Sequence, residues 1–185
     1  DKIAIINYTQ SLKERIMILE RFFPDIYIHS IFDLPIGELK KRGIRALVFD
    51  IDNTVAPYDI AEPDDKTAEL FNYLKSEGFS LCLLSNNNEK RVTVFNRKLQ
   101  AHTVWKAGKP GIKKLFAIMD KMGTDKSSTA VVGDQVFTDM YCAHRAGVLA
   151  IYTEPICGRD QLITKVKRGA EKIVLLIYKR KKQKK

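Results

Sequence analysis

The chain has 185 residues and a mass of 21.1 kDa, enough for one domain with at most a small appendage and too little for two catalytic domains. Hydrophobic residues make up 45% and charged residues 29%, with 10 Gly and 6 Pro, a composition that supports one sizeable core and excludes disordered and fibrous classes. The net charge of +10 suggests a polyanionic partner, but the stretch from Lys165 to Lys185 carries +9 of it and the residues before it only +1.

The chain opens with Leu12, Ile16, Leu19 and Phe23 at helical spacing, interleaved with charged residues, and Pro24 ends that pattern. A second short helix is expected in DLPIGELKKRG, stopping at Gly43. ALVFDI, from Ala46 to Ile51, is too apolar and too rich in β-forming residues to be other than a buried strand. From there the pattern alternates. A helix over Asp65 to Glu77 ends at Gly78, a buried strand follows over Phe79 to Leu84, then a helix over Glu89 to Leu99 and a short strand over His102 to Trp105. Pro110 is expected to open a helix reaching Met122, followed by a strand over Thr129 to Val132, a helix over Phe137 to Ala146 and a strand over Val148 to Tyr152. Five strands separated by helices predict an α/β, Rossmann-like parallel sheet covered on both faces. The last helix places Leu162, Val166, Ala170, Ile173 and Ile177 on one side, expected to dock on the body, and ends in the solvated run KRKKQKK. Residues 1–164, the N-terminal helices included, then form the α/β domain and residues 165–185 a basic end.

Several classes drop out. Cys82, Cys142 and Cys157 are odd in number and widely spaced, which argues against a disulfide framework or zinc site and for a reducing compartment. The apolar run from Ile173 to Tyr178 falls far short of the ~20 residues that span a bilayer. Cytoplasm is the default location, with peripheral membrane attachment through the basic end and, should an address precede Asp1, a mitochondrial alternative. His29, His102 and His144 lack paired ligand spacing and read as structural or surface residues. Trp105 and the seven tyrosines do not interleave with a basic patch on the body, so nucleic acid is not favoured as a partner. The absence of a Walker or GxGxxG loop argues against a nucleotide-driven kinase or a nicotinamide enzyme.

In a parallel sheet, ligands gather beyond the carboxyl ends of the strands, so polar residues directly after apolar runs are the candidates for chemistry. FDIDNT places Asp50 at a strand end, with Asp52 and Thr54 at alternate positions: a nucleophile with a nearby acid and base. LLSNN puts the Ser85 hydroxyl and then Asn86 after the second strand, and GKP offers the compact charge of Lys109. VVGDQVFTD sets Asp134 after its strand and Asp139 five residues on. Carboxylates converging on one site repel unless an ion or proton compensates, which points to a hard divalent cation. Taken singly, DxDxT or Lys-Pro is weak evidence, Ser85 reads more readily as a turn or helix cap and Gly-Asp as an ordinary cap; the ordered set, each member behind a strand, carries the functional reading.

DxDxT, Ser, Lys and GDxxxxD in this order resemble the haloacid dehalogenase (HAD) superfamily over Ala46 to Tyr152. The resemblance implies that Asp50 attacks phosphorus and that Asp52 protonates the leaving oxygen and later activates water. It implies Mg2+ on Asp50, the Asp52 carbonyl and Asp134, phosphoryl oxygens on Thr54, Ser85, Asn86 and Lys109, and support from Asp139. The first gap between motifs, Val55 to Leu84, has 30 residues and the second, Asn86 to Gly108, has 23, too few for a large cap domain. An open site suits a phosphate displayed on something large. FFPDIYIHSIFDLPIGELKKRGIRALVFDIDNT with LLSNNNEKRV, KAGKP and VVGDQVFTD is similar to the YqeG-type, class IIIA group and to mitochondrial phosphatidylglycerophosphate phosphatases. That likeness implies a lipid head-group phosphate as substrate. Separately, a near-neutral body with amphipathic end helices and a cationic tail suits reversible contact with an anionic membrane, and equally suits helices that only pack on the sheet with a tail that aids solubility. A phosphatase acting on phosphoprotein or nucleic-acid phosphate, and a non-catalytic module that kept the fold, are the alternatives.

Overall fold

A computed structural model describes residues 18–156 and 162–183. Its sheet is six-stranded and parallel throughout: β1 (Ile26–Ile28), β2 (Ala46–Phe49), β3 (Ser80–Leu84), β4 (His102–Val104), β5 (Thr129–Gly133) and β6 (Leu149–Thr153), in the order β1-β6-β5-β2-β3-β4. The central strands β2 and β5 are buried along their whole length, which is why their sequences are unbroken apolar runs rather than alternating ones. The edge strand β1 is an addition to the five strands expected: Tyr27 pairs with Tyr152 and extends the sheet beyond β6. At three residues, IYI is too short for periodicity to distinguish it from a loop.

Alternate residues of the strands feed two cores. Leu47, Phe49, Leu81, Leu83, Ala130, Val132 and Ile151 pack on one face with α1 (Ile36–Lys41), α2 (Asp65–Ser76) and α3 (Glu89–Leu99), through Leu39, Phe71, Leu74, Val92 and Phe95. Val48, Cys82, Leu84, Val131 and Ala150 face the other way, against α4 (Lys113–Met122), α5 (Tyr141–Ala146) and α6 (Leu162–Lys182). The Asp64 and Asn88 side chains accept from the backbone N–H of Thr67 and Arg91 and so start α2 and α3, while Gly123 and Gly147 end α4 and α5 in left-handed conformations. Each gap between motifs holds one helix packed on the sheet, α2 or α3, and no large cap domain is present.

Three expectations change. α4 begins at Lys113 rather than Pro110, because Pro110 and Gly111 are spent on a tight turn in which the Gly111 N–H donates to Gly108 O at 2.7 Å. The helix expected from Phe137 opens as one π-helical turn, Val136–Met140, before α5. α6 docks on a different face from the one expected: Glu171, Val174 and Tyr178 are buried, whereas Ala170 is exposed and Ile173 is 61% exposed. The run Ile173 to Ile177 is apolar all round, so tertiary partners choose the face. They are the Phe23 and Tyr27 rings against Tyr178, and the Phe137 N–H, which donates to Glu171 at 3.2 Å. Of the opening amphipathic helix, residues 18–20 are helical, and Leu12 and Ile16 lie outside the described residues, as does Cys157. The side chains of Leu162 and Val166 are likewise outside them. Cys82 and Cys142 are buried and unbonded to each other, and burial pushes the Cys142 thiol up to about 11, away from reactivity. His144 reaches Phe23 O at 2.5 Å, and His29 lies 3.2 Å from Glu154 at the surface.

Candidate active site

The sheet ends in a row of loops. After β2, Asp50 keeps one more ladder bond, its N–H donating to Val132 O at 2.9 Å, and the chain then turns sharply. Val55 N–H donates to Ile51 O and Asn53 N–H to Ala56 O, with Asn53 at φ 65°, a left-handed conformation Asn tolerates better than most residues. The turn sends Thr54 inward. Its hydroxyl donates to Asp134 Oδ1 at 3.0 Å, linking the loops after β2 and β5.

Asp134 and Asp139 are fully buried and Asp50 nearly so, and carboxylate oxygens of these three lie within 4.8 Å of one another. The Lys109 ammonium, also buried, donates to Asp50 at 2.5 Å and to Asp139 at 2.7 Å. Gly133 makes this convergence possible: a Cβ there would lie 2.4 Å from Asp139 Cγ, so only glycine lets that carboxylate fold back over the strand end. The Gln135 N–H, donating to Asp139 at 3.1 Å, fixes the returned side chain.

Three carboxylates against one ammonium leave an excess of negative charge in a dry site. Burial is the largest influence on Asp50, which is pushed up to about 8; Asp139 and Asp134 raise it further and Lys109 opposes them. For Lys109, burial alone would lower the value, but Asp139 and Asp50 more than offset it and hold the ammonium charged far above its ordinary range. Such an oxygen-only, over-negative cluster suits a hard divalent cation of the Mg2+ type.

The remaining candidates stand around this pole. Ser85 is buried beyond β3, and its Oγ accepts from the Asn87 N–H at 3.1 Å. Asn86 clamps Lys109: its Oδ1 accepts from the Lys109 N–H at 2.8 Å and its Nδ2 donates to the Lys109 carbonyl at 3.2 Å. The Asn86 side chain therefore sets the lysine loop, which a polar residue one position after Ser85 does not reveal from sequence. Asp52 stands apart from the buried trio, on the wall of a cleft of about 310 Å³ lined also by Asp50, Ser85, Asn86, Asn87, Lys109, Gln135 and Thr138. A larger groove of about 440 Å³ runs between α6 and the β1–β6 edge, but it holds none of these groups; the chemistry belongs to the smaller cleft.

A strand-end aspartate pair, a buried lysine and a second acidic loop, all at the carboxyl edge of a parallel sheet without a large cap, define a HAD-type phosphatase. A family model described as mitochondrial PGP phosphatase matches residues 4–157. "Probable phosphatase YqeG" of Bacillus subtilis is 32% identical over 165 residues, 89% of this chain and 96% of that protein. The chloroplastic/mitochondrial phosphatidylglycerophosphate phosphatase 1 of Arabidopsis thaliana is 26% identical over 77% of this chain, which spans 43% of that protein's length. A HAD phosphatase structure from Thermococcus onnurineus superposes with a TM-score of 0.52 at 13% identity, covering 64% of this chain and 90% of that one, and shows the shared fold. The chain belongs to the mitochondrial PGP phosphatase family of the HAD superfamily, in its YqeG-type branch.

Proposed function

We propose that the enzyme removes the terminal phosphate of phosphatidylglycerophosphate through an aspartyl-phosphate intermediate formed on Asp50. The observation that carries the mechanism is the buried set of Asp50, Asp134, Asp139 and Lys109 behind an open cleft. A carboxylate attacking a phosphoryl group is one anion approaching another, and it needs positive charge fixed in advance. Lys109 supplies one such charge within reach of the nucleophile. Mg2+, held by Asp50, Asp134 and the Asp52 carbonyl with Asp139 in support, would supply the rest by neutralising phosphoryl oxygens. Asp50 Oδ forms a bond to phosphorus as the ester P–O bond breaks, and the proton on Asp52 passes to the leaving oxygen. Asp52 then takes a proton from the water that releases phosphate. Ser85 and Lys109 orient the phosphoryl oxygens, and the Asn86 clamp keeps Lys109 in place. Thr54, expected among the phosphate contacts, does not line the cleft and gives its hydroxyl to Asp134 instead.

The lipid reading is supported by the outer face of α6. Ile173 and Leu176 are 61% and 58% exposed beside exposed Lys172, Lys179 and Arg180, an apolar strip rimmed by cations that suits an anionic lipid surface. Among the described residues no helix is long and apolar enough to cross a membrane, so attachment would be by this face and the basic end. The test compares Mg2+-dependent phosphate release from phosphatidylglycerophosphate, a phosphopeptide and a phosphate-ended oligonucleotide. Preference for the lipid is expected; equal, poor turnover of all three would remove it, and preference for either other substrate would replace it.

A further inference from the structure

An ion pair stands at the wall of the cleft, apart from the buried carboxylates and Lys109. Arg91, in the first turn of α3, donates from Nη2 to Asp52 Oδ1 at 3.1 Å and from Nη1 to the Ala61 carbonyl at 3.1 Å. Its guanidinium carbon lies 5.0 Å from the centre of the Phe95 ring, and its side chain is only 13% exposed. Asn87, on the cleft wall, reaches the other oxygen, Asp52 Oδ2, at a loose 3.4 Å.

Two features make this a poor place for a merely structural arginine. With Asn88 capping α3, Arg91 is the third residue of the helix, where the backbone dipole favours acids and opposes cations. Its Nε is also buried without a hydrogen-bond partner among the described residues, a cost that an apolar side chain packed on Phe95 would avoid. What the guanidinium gains in return is Asp52.

We propose that Arg91 is the positioning residue for Asp52: by occupying Oδ1 from behind the cleft wall it reserves Oδ2 for proton transfer. Both Asp52 oxygens accept, Oδ1 from the charged guanidinium at 3.1 Å and Oδ2 from the neutral Asn87 amide at 3.4 Å, so a proton on Asp52 resides on the weakly held Oδ2, which keeps a lone pair for Asn87. The partner of Oδ2, Asn87, is a residue of the cleft wall, whereas Arg91 is not among the residues that line the cleft. When the ester bond breaks, the Oδ2 proton moves to the leaving oxygen and the electron pair of the broken P–O bond becomes its lone pair. In the second half of the reaction the same oxygen receives the proton of the attacking water. The Ala61 contact ties the segment after the Asp52 turn to the same guanidinium, so the loop and the acid are set together. The inference rests on the phosphatase mechanism proposed for this site.

The test is a double-mutant cycle on kcat/KM with an alkyl phosphate, whose leaving oxygen needs a proton, and p-nitrophenyl phosphate, whose phenolate leaves without one. Arg91→Met should cost about 10²-fold on the alkyl ester and far less on the aryl ester. In an Asp52→Asn background it should cost almost nothing more. Arg91→Lys, which keeps the charge and much of the stem, should recover part of the loss and serves as the probe if the methionine variant does not fold. Equal losses on both esters, or losses that multiply with Asp52→Asn, would overturn the role of Arg91. A wild-type enzyme that releases phosphate from neither ester with Mg2+ would instead overturn the phosphatase mechanism itself.

Discussion

The carboxyl edge of the sheet and the outer face of α6 handle charge in opposite ways. At the sheet edge three carboxylates and one ammonium are pressed together out of water, held by short hydrogen bonds and by a glycine that no other residue can replace. On α6, exposed Lys172 and Arg180 flank two exposed apolar side chains, and exposed Lys179 beside them lies over the Tyr27 ring at 4.5 Å. Desolvated charges are costly and geometrically demanding, whereas exposed ones are screened and individually weak. The contrast teaches where substitutions should be felt. Changes at the edge should alter chemistry by orders of magnitude, and changes on α6 should alter attachment by small increments. The two regions are also joined, since the buried Glu171 of α6 accepts from the Phe137 N–H in the turn that carries Asp139.

The largest effect should come from the nucleophile. Asp50→Asn is expected to reduce phosphate release to background while circular dichroism shows the fold intact; unchanged turnover would break the assignment. Gly133→Ala should come next, because its Cβ must displace the Asp139 carboxyl. A loss of about 10²-fold is expected in kcat/KM, the order produced by misplacing a site group by an ångström, together with a smaller Mg2+-induced rise in Tm. Full activity in that variant would mean that Asp139 does not need its folded-back position.

A third prediction concerns pH. The folded-state value of Asp50 lies near 8, above its ordinary 3.8, so the fold penalises the ionised form. Without metal, the contribution of this group to stability should fall as pH rises from about 4 through 8, and remain fully lost above that range. Mg2+ should restore it, so the metal-induced rise in Tm should be larger at pH 8 than at pH 5. An equal rise at both would separate Asp50 from the cation. The smallest effects should be on α6. Ile173→Ser with Leu176→Ser should leave stability within about 0.5 kcal/mol and hydrolysis of a soluble ester unchanged. The same pair should weaken binding to anionic vesicles but not to neutral ones, and removal of the residues after Tyr178 should weaken it further. Undiminished vesicle binding in both variants would reduce the basic end to an aid to solubility.

The doubly wound sheet was legible because buried parallel strands are continuous apolar runs, and ALVF, SLCLL and TAVVG leave no other use for themselves. Asp50, Ser85 and Asp134 were legible as candidates because a parallel sheet puts its ligands at one edge and each is the first polar residue behind an apolar run. What escaped is whatever depends on a partner remote in sequence. Arg91 meets Asp52 across 39 positions, and its only local sign is a cation where the first turn of a helix prefers an acid. Gly133 looks like part of a capped turn until the return path of Asp139 is known. The docked face of α6 could not be chosen from an all-apolar run, since the Phe137 N–H and the Phe23 ring that select it lie on other elements.

The central claim, that Asp50 takes the phosphoryl group, is tested most directly by acid-quenching the enzyme during turnover of a radiolabelled phosphomonoester with Mg2+ and mapping its tryptic peptides. Label should appear on the peptide from Ala46 to Lys66, accumulate further in Asp52→Asn, and vanish in Asp50→Asn. Continued turnover with no label on that peptide in either the wild type or Asp52→Asn would contradict it.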